Sequence, residues 1–342
     1  MPAYLTLLAS SANRVYQHSA PALAAAELAV TAPWASGIRA SDLCGAGAVR
    51  FDADDLDELA LAAQSSGLVT FELVGDLLRP VGLPSIEAMD DDLLTIPKYQ
   101  GKTNESFTRL LLHVTLSQVS RPGPLDVLDP LAGRGTTLLA AWVAGHNGYG
   151  VEADDKAVDA LAAFIKTYLR TKRLKHSAGV TPVRREGRTV GRRLDAEVRL
   201  AEPTHDRPAH PGLPTLRLTV FTGDTRTSAE LYGKRQFDAI VTDAPYGVVH
   251  GARRGSESSR SAAALLAEAV PVWARQLRPG GAMGISWNTL SLGRADLVGM
   301  LADAGLEVRD EEPWRAFGHR VDQAIVRDLV VAVRPLQVPS GV

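Results

Sequence analysis

Short apolar runs that stop at an acidic or glycine-containing turn recur along the last two thirds of the chain, and several lead into stretches of helical length. Residues 125–128 form one run, ahead of a helix-like stretch at 136–144. Residues 149–151, 218–221 and 237–242 form three more. Further on, 263–277 reads as a helix, Arg278-Pro279-Gly280-Gly281 as a turn and 282–286 as a strand, with strand-like runs at 306–308 and 324–333. This alternation predicts the α/β class with an open sheet.

The first 93 residues alternate differently and lack a glycine loop. Strands are expected at 3–9, 49–51 and 68–74 and helices at 22–30 and 55–63, which suggests a small α+β domain with a βαβ-like core. The acidic string Glu87-Ala88-Met89-Asp90-Asp91-Asp92 looks like its linker to a second domain over 94–342. The first domain is expected to hold RNA, cover the catalytic sheet or form a dimer interface, with a homodimer left open.

Length supports this division, since 342 residues exceed one typical domain and 45% hydrophobic residues can fill a sizeable core. A single cysteine, Cys44, rules out an internal disulfide and suggests no cysteine-based zinc site, as expected of a cytoplasmic protein; no metal is expected. Residues 1–10 lack a basic flank with a long apolar core, and no apolar run approaches the ~20 residues that span a bilayer. The net charge of −2 hides an asymmetry: residues 166–199 hold eleven basic residues against three acids, a formal +8 that leaves −10 for the rest. Such an insertion either tracks nucleic-acid phosphates or is simply solvated.

The run at 125–128 ends in Asp129-Pro130-Leu131-Ala132-Gly133-Arg134-Gly135-Thr136-Thr137, a strand-to-helix turn. Gly133 and Gly135 would let the backbone approach a ligand, and the free N–H groups of a helix N-terminus suit a carboxylate such as that of methionine. Glu152 closes the next strand, where an acid accepts ribose hydroxyls. A dinucleotide site is the alternative, although the full Gly-x-Gly-x-x-Gly spacing is missing. Asp224, after 218–221, is a candidate for a cofactor's adenine amino group, or else caps a helix or Asx-turn.

The fourth run ends in Asp243-Ala244-Pro245-Tyr246-Gly247. An amino group on a base is a poor nucleophile because its lone pair is delocalised into the ring. Asp243 and a backbone carbonyl beside Pro245 could accept its two N–H bonds and aim the lone pair at a methyl donor, while Tyr246 stacks on the ring. The arrangement works by positioning more than by strong basicity. The plainer alternative is an ordinary Pro/Gly turn. The following stretch, 248–260, carries His250, Arg253 and Arg254 and could close over a base or be a surface loop. His250 and His319 are remote candidates for a general base.

These strings resemble the class I S-adenosylmethionine-dependent amino-methyltransferases that carry an Asp-Pro-Pro-Tyr type motif, most of all the tRNA guanine-N2 methyltransferases that modify position ten; DNA adenine-N6 and cytosine-N4 enzymes are similar in the same strings. The resemblance spans roughly 94–335 and implies a Rossmann-like seven-stranded sheet whose closing hairpin is formed by 306–308 and 324–333. It implies S-adenosyl-L-methionine bound by Asp129, Pro130, Gly133, Gly135, Thr136, Thr137, Glu152, Asp224 and Asp243, with Asp243, Ala244, Pro245 and Tyr246 holding the substrate amino group. The segment at 99–107 resembles the one flanking the methionine part of the cofactor, which makes Lys102, Thr103 and Phe107 pocket-wall candidates. Ala244 stands where the family has its first proline; the carbonyl survives the change, but turn rigidity is lost. The expected substrate is nucleic acid, RNA over DNA. The alternatives are a small molecule or peptide, or a catalytically silent homologue that binds nucleic acid.

Overall fold

The computed structural model describes residues 1–11, 13–99, 101–185, 187–200, 215–245 and 255–336, with backbone alone at 185 and 255–261. The amino-terminal region comprises β1 (Ala3–Leu8), α1 (Arg14–Thr31), β2 (Ser36–Leu43), β3 (Ala46–Asp52), α2 (Glu58–Ala62), β4 (Gly67–Val74) and β5 (Leu77–Val81). Then follow α3 (Asp92–Thr95), α4 (Glu105–Leu116), β6 (Asp126–Asp129), α5 (Thr136–Val143), β7 (Asn147–Glu152), α6 (Asp155–Thr171), β8 (His176–Arg185), β9 (Arg188–Arg199) and β10 (Thr215–Thr222). The chain closes with α7 (Ser228–Tyr232), β11 (Phe237–Asp243), α8 (Gly255–Gln276), β12 (Leu277–Asn288), α9 (Arg294–Asp303), β13 (Glu307–Arg309), β14 (His319–Arg320) and β15 (Val326–Val333).

The large sheet runs β13-β15-β12-β11-β6-β7-β10-β9-β8, with β14 paired to β15. Its centre, β12-β11-β6-β7-β10, is parallel, as expected of strands joined by crossover helices. β15 enters antiparallel between β12 and β13. The Rossmann-like seven-stranded sheet is therefore present, and the predicted strands at 306–308 and 324–333 do close it. Two details differ. Arg278-Pro279-Gly280-Gly281, read as a turn, falls inside β12, where the register against β11 shifts. The sheet is also wider, because the basic insertion forms the hairpin β8–β9, which adds two antiparallel strands beyond β10.

That hairpin outruns its neighbour. Phe221 of β10 pairs with Arg193, and the N–H of Arg192 donates to Oγ1 of Thr222, the last residue of β10. A Cβ on Gly191 would lie 2.8 Å from the Thr222 carbonyl, so the strands touch there through bare backbone. Residues 183–185 and 188–191 continue as a two-stranded arm past the carboxyl end of the sheet.

The amino-terminal sheet, β2-β3-β1-β4-β5, is antiparallel throughout, which corrects the βαβ-like core expected for it. α1 starts at Arg14 rather than 22, because Asn13 caps it by accepting from the N–H groups of Val15 and Tyr16, and the helix carries Pro21 inside. The region does not stand apart: buried Tyr4, Tyr16, Leu23 and Phe51 share one apolar cluster with Leu94, Phe107, Leu110 and Trp142. At the seam, Glu27 is fully buried and accepts from the Ser65 hydroxyl at 2.6 Å and His113 Nδ1 at 2.7 Å. The supposed linker is docked as well. Glu87 and Asp91 bind Arg109, Asp90 and Asp92 bind Lys172, and Ala88 and Met89 are buried. Among the described residues no helix is long and apolar enough to cross a membrane.

Candidate active site

A cavity of about 290 Å³ opens where β6 and β11 end, walled by the segment before α4, the loop after β6 and residues 243–245. Asp129 ends β6, and its buried carboxylate accepts from the N–H of Leu131 at 3.1 Å and from Thr242 Oγ1 at 2.8 Å. Pro130 follows, buried in the turn. Both loop glycines are left-handed, with φ of +52° at Gly133 and +83° at Gly135, but they serve different ends. A Cβ at Gly135 would lie 2.8 Å from Leu161, so this glycine lets α5 pack against α6. A Cβ at Gly133 would meet nothing within 4 Å, so this one faces open space where a ligand can approach the backbone. Thr136 and Thr137 open α5 and line the cavity, Thr136 sharing a 2.6 Å hydrogen bond with the Tyr99 hydroxyl.

Glu152 does not line the cavity but is tied to the glycine loop that does. Its carboxylate accepts from the N–H groups of Gly133 and Asp154, each at 2.7 Å. Asp224 is not a wall of the cavity. It caps the short turn at Thr225–Thr227 through the Arg226 N–H and pairs with the Arg226 guanidinium at 2.5 Å, which holds its carboxyl below the usual range. Here the helix-cap reading describes the residue, and Arg226 occupies the carboxylate assigned to adenine. Lys102 is likewise engaged elsewhere: its ammonium donates to the carbonyls of Leu94 and Pro97 and to Glu105, closing the loop that places Gly101 and Thr103 in the wall.

Thr103 and Phe107 lie where the sequence puts them. Thr103 Oγ1 donates to Asp243 Oδ2 at 2.5 Å, the Ser286 hydroxyl donates to Oδ1, and Arg327 stands 3.8 Å from Oδ2. Arg327, only 4% exposed, also lies over the Phe107 ring, 4.6 Å from its centre. The next residue decides what the missing proline costs. Ala244 donates its N–H to the Ser286 carbonyl at 2.8 Å, a bond that proline cannot make. The turn is held to β12 by the strand ladder in place of a second pyrrolidine ring. Pro245 is exposed at the mouth. Tyr246, Gly247 and residues 248–254, with His250, Arg253 and Arg254, lie outside the described residues, while 255–260, read as part of the same loop, are the first turns of α8. His319 is buried behind Phe107 and does not line the cavity; burial lowers its pKa.

Sequence reasoning missed four residues of this constellation: Tyr99, Arg134, Ser286 and Arg327. Ser286 had a usable signal, since it closes the strand expected at 282–286, and in the structure it is the register partner of Asp243. Arg327 had one too, as a lone cation at the head of an apolar run. Arg134 stacks on the Tyr99 ring at 4.9 Å, a pairing visible only once the chain is folded.

Burial raises the Asp129 carboxyl to about 6. A raised folded-state value favours the neutral acid, so its contribution to stability is complete below the unfolded value and disappears as pH climbs through about 6. A shift of about two units corresponds to about 3 kcal/mol. Asp129→Asn keeps an acceptor for Thr242 and cannot ionise. The expected result is that the variant gains up to about 3 kcal/mol over the parent between pH 4 and pH 7.5 in urea unfolding. A gap that stays constant with pH would refute the idea that Asp129 ionises at a cost in its buried setting.

No family model matches the chain, and no curated protein matches it. Solved structures do. TrmN from Thermus thermophilus is 13% identical with a TM-score of 0.45, covering 98% of this chain and 100% of its own. Precorrin-6y C5,15-methyltransferase from Geobacter metallireducens is 13% identical with a TM-score of 0.38, covering 73% and 98%. A TehB-like SAM-dependent methyltransferase from Corynebacterium glutamicum is 16% identical with a TM-score of 0.35, covering 63% and 82%.

Proposed function

We propose that this protein is an S-adenosylmethionine-dependent methyltransferase acting on an exocyclic amino group of a nucleic-acid base, with guanine N2 of tRNA as the leading target. The observation that carries the reading is that the glycine loop and Asp243-Ala244-Pro245 wall the same cavity. Gly133, Thr136 and Thr137, with Glu152 tied to the glycine loop, are the groups that would hold the cofactor, and the open space over Gly133 fits a ligand at the helix N-terminus. Bound there, S-adenosylmethionine supplies a methyl group activated by its sulfonium.

The rest falls to the chain. Asp243, fixed from two sides by Thr103 and Ser286, accepts one N–H of the target amine, and the backbone carbonyl beside Pro245 accepts the other. Both acceptors are set before substrate arrives, so little reorganisation accompanies the reaction. The bond from the Ala244 N–H to the Ser286 carbonyl supports a held turn despite the missing proline. The test incubates the protein with tritiated S-adenosylmethionine and tRNA, rRNA or unmethylated genomic DNA, and identifies the labelled nucleoside by mass spectrometry. N2-methylguanosine in tRNA is expected. N6-methyladenine in DNA would move the substrate to DNA, and cofactor binding without label in any polymer would overturn the proposal.

A further inference from the structure

The eleven basic residues of 166–199 form one run in the sequence but are spread along the height of the sheet in space. α6 leads away from the carboxyl end of β7, so Arg170, Arg173 and Lys175 lie at the opposite edge of the sheet, where the Arg199 N–H bonds the Lys175 carbonyl level with the start of β10. Arg184, Arg185 and Arg188 lie at the tip of the arm formed by β8 and β9. Since Arg192 is level with Thr222, Arg188 stands four residues farther on, about 13 Å at ~3.3 Å per residue. That is the edge where Asp129, Glu152 and Asp243 end their strands.

The arm is a poor structural element on its own account. Arg184, Arg188, Thr189 and Val190 are all exposed, so its outer half buries almost nothing. Lower down, Arg192 is neutralised by Asp155 and Asp159, and Arg193 by Asp195. Among the described residues, Arg184 and Arg188 have no such partner.

We propose that the tip of this arm, through Arg184 and Arg188, is the surface that grips the phosphodiester backbone of a polynucleotide whose base enters the cavity, and that the basic group at the opposite edge takes no part. The inference rests on the function proposed above. A cationic arm raised beside the site adds affinity without reading sequence, and that affinity falls with salt.

The experiment compares the parent, the tip variant Arg184→Ala/Arg188→Ala and the far-edge variant Arg170→Ala/Arg173→Ala/Lys175→Ala. Binding of fluorescein-labelled bulk tRNA is followed by anisotropy across a salt series, S-adenosylmethionine binding by calorimetry, and transfer to tRNA by initial rates. The tip variant should bind tRNA about tenfold more weakly near 0.15 M salt, with a log–log salt slope shallower by about 1.4 for two lost contacts at ~0.7 each. It should raise KM with kcat within about twofold and leave cofactor affinity unchanged. The far-edge variant should match the parent. Equal weakening by both variants, or parental binding by the tip variant, overturns the proposal. Because binding is read apart from transfer, a parent that grips tRNA through the tip but methylates nothing would remove the proposed reaction and leave the grip standing.

Discussion

Replacing Asp243 with alanine is expected to lower transfer by about a thousandfold or more while S-adenosylmethionine still binds within a fewfold of the parent. Removing one preorganised hydrogen-bonding group from a reacting centre costs about 10²–10³ in rate, and Asp243 does more than one such job, because Thr103 and Ser286 are both anchored on it. Asp243→Asn keeps one acceptor oxygen in the same place and should lose less. Single-turnover rates and calorimetric cofactor binding on the same preparations separate the two properties. Equal loss of binding and rate in the alanine variant would make Asp243 a cofactor ligand first and remove it from the amine clamp.

The second large effect concerns stability and lies away from the cavity. Glu27 is fully buried on α1, yet its partners Ser65 and His113 come from the segment before β4 and from α4. Glu27→Ala strands the Ser65 N–H and hydroxyl, removes the partner of His113 and opens a void in the shared core. Each buried donor left unsatisfied costs about 1–3 kcal/mol, so a loss of about 2–6 kcal/mol is expected for the two on Ser65. Urea unfolding should show that loss in a single transition in parent and variant alike, because one apolar cluster runs through both regions. Two resolved transitions in the parent would mean that the amino-terminal region folds as an independent domain.

What could be read from the sequence follows from how each element is buried. The central strands β6, β7, β10 and β11 are covered on both faces, so they appear as short apolar runs, and the residues that end them mark the carboxyl edge of the sheet. That is why Asp129, Gly133, Thr136, Thr137 and Asp243 could be placed together without coordinates. β2 and β5 went unseen because they are exposed edge strands with little apolar pattern to detect. The hairpin β8–β9 was hidden by its charge: a run rich in arginine reads as a solvated insertion, although Leu194, Ala196 and Val198 alternate inward in the half that joins β10. Asp224 and Lys102 were expected at the cofactor, and the structure pairs their charged groups elsewhere. Spacing shows where a charged side chain starts, but Arg226 and the carbonyls of Leu94 and Pro97 decide where it is used.

For the grip proposed above, the distance between arm and cavity also sets a length scale for a stacked strand. β9 lies three strands from β6, about 14 Å at ~4.8 Å per strand, and the tip rises about 13 Å above the edge, so the two are about 20 Å apart. Phosphates recur about every 3.4 Å along a stacked strand, which makes the gap about six nucleotides. Oligonucleotides shorter than that should compete for the cavity or for the arm but not bridge them, and the dependence of catalytic efficiency on chain length should show a step where bridging begins.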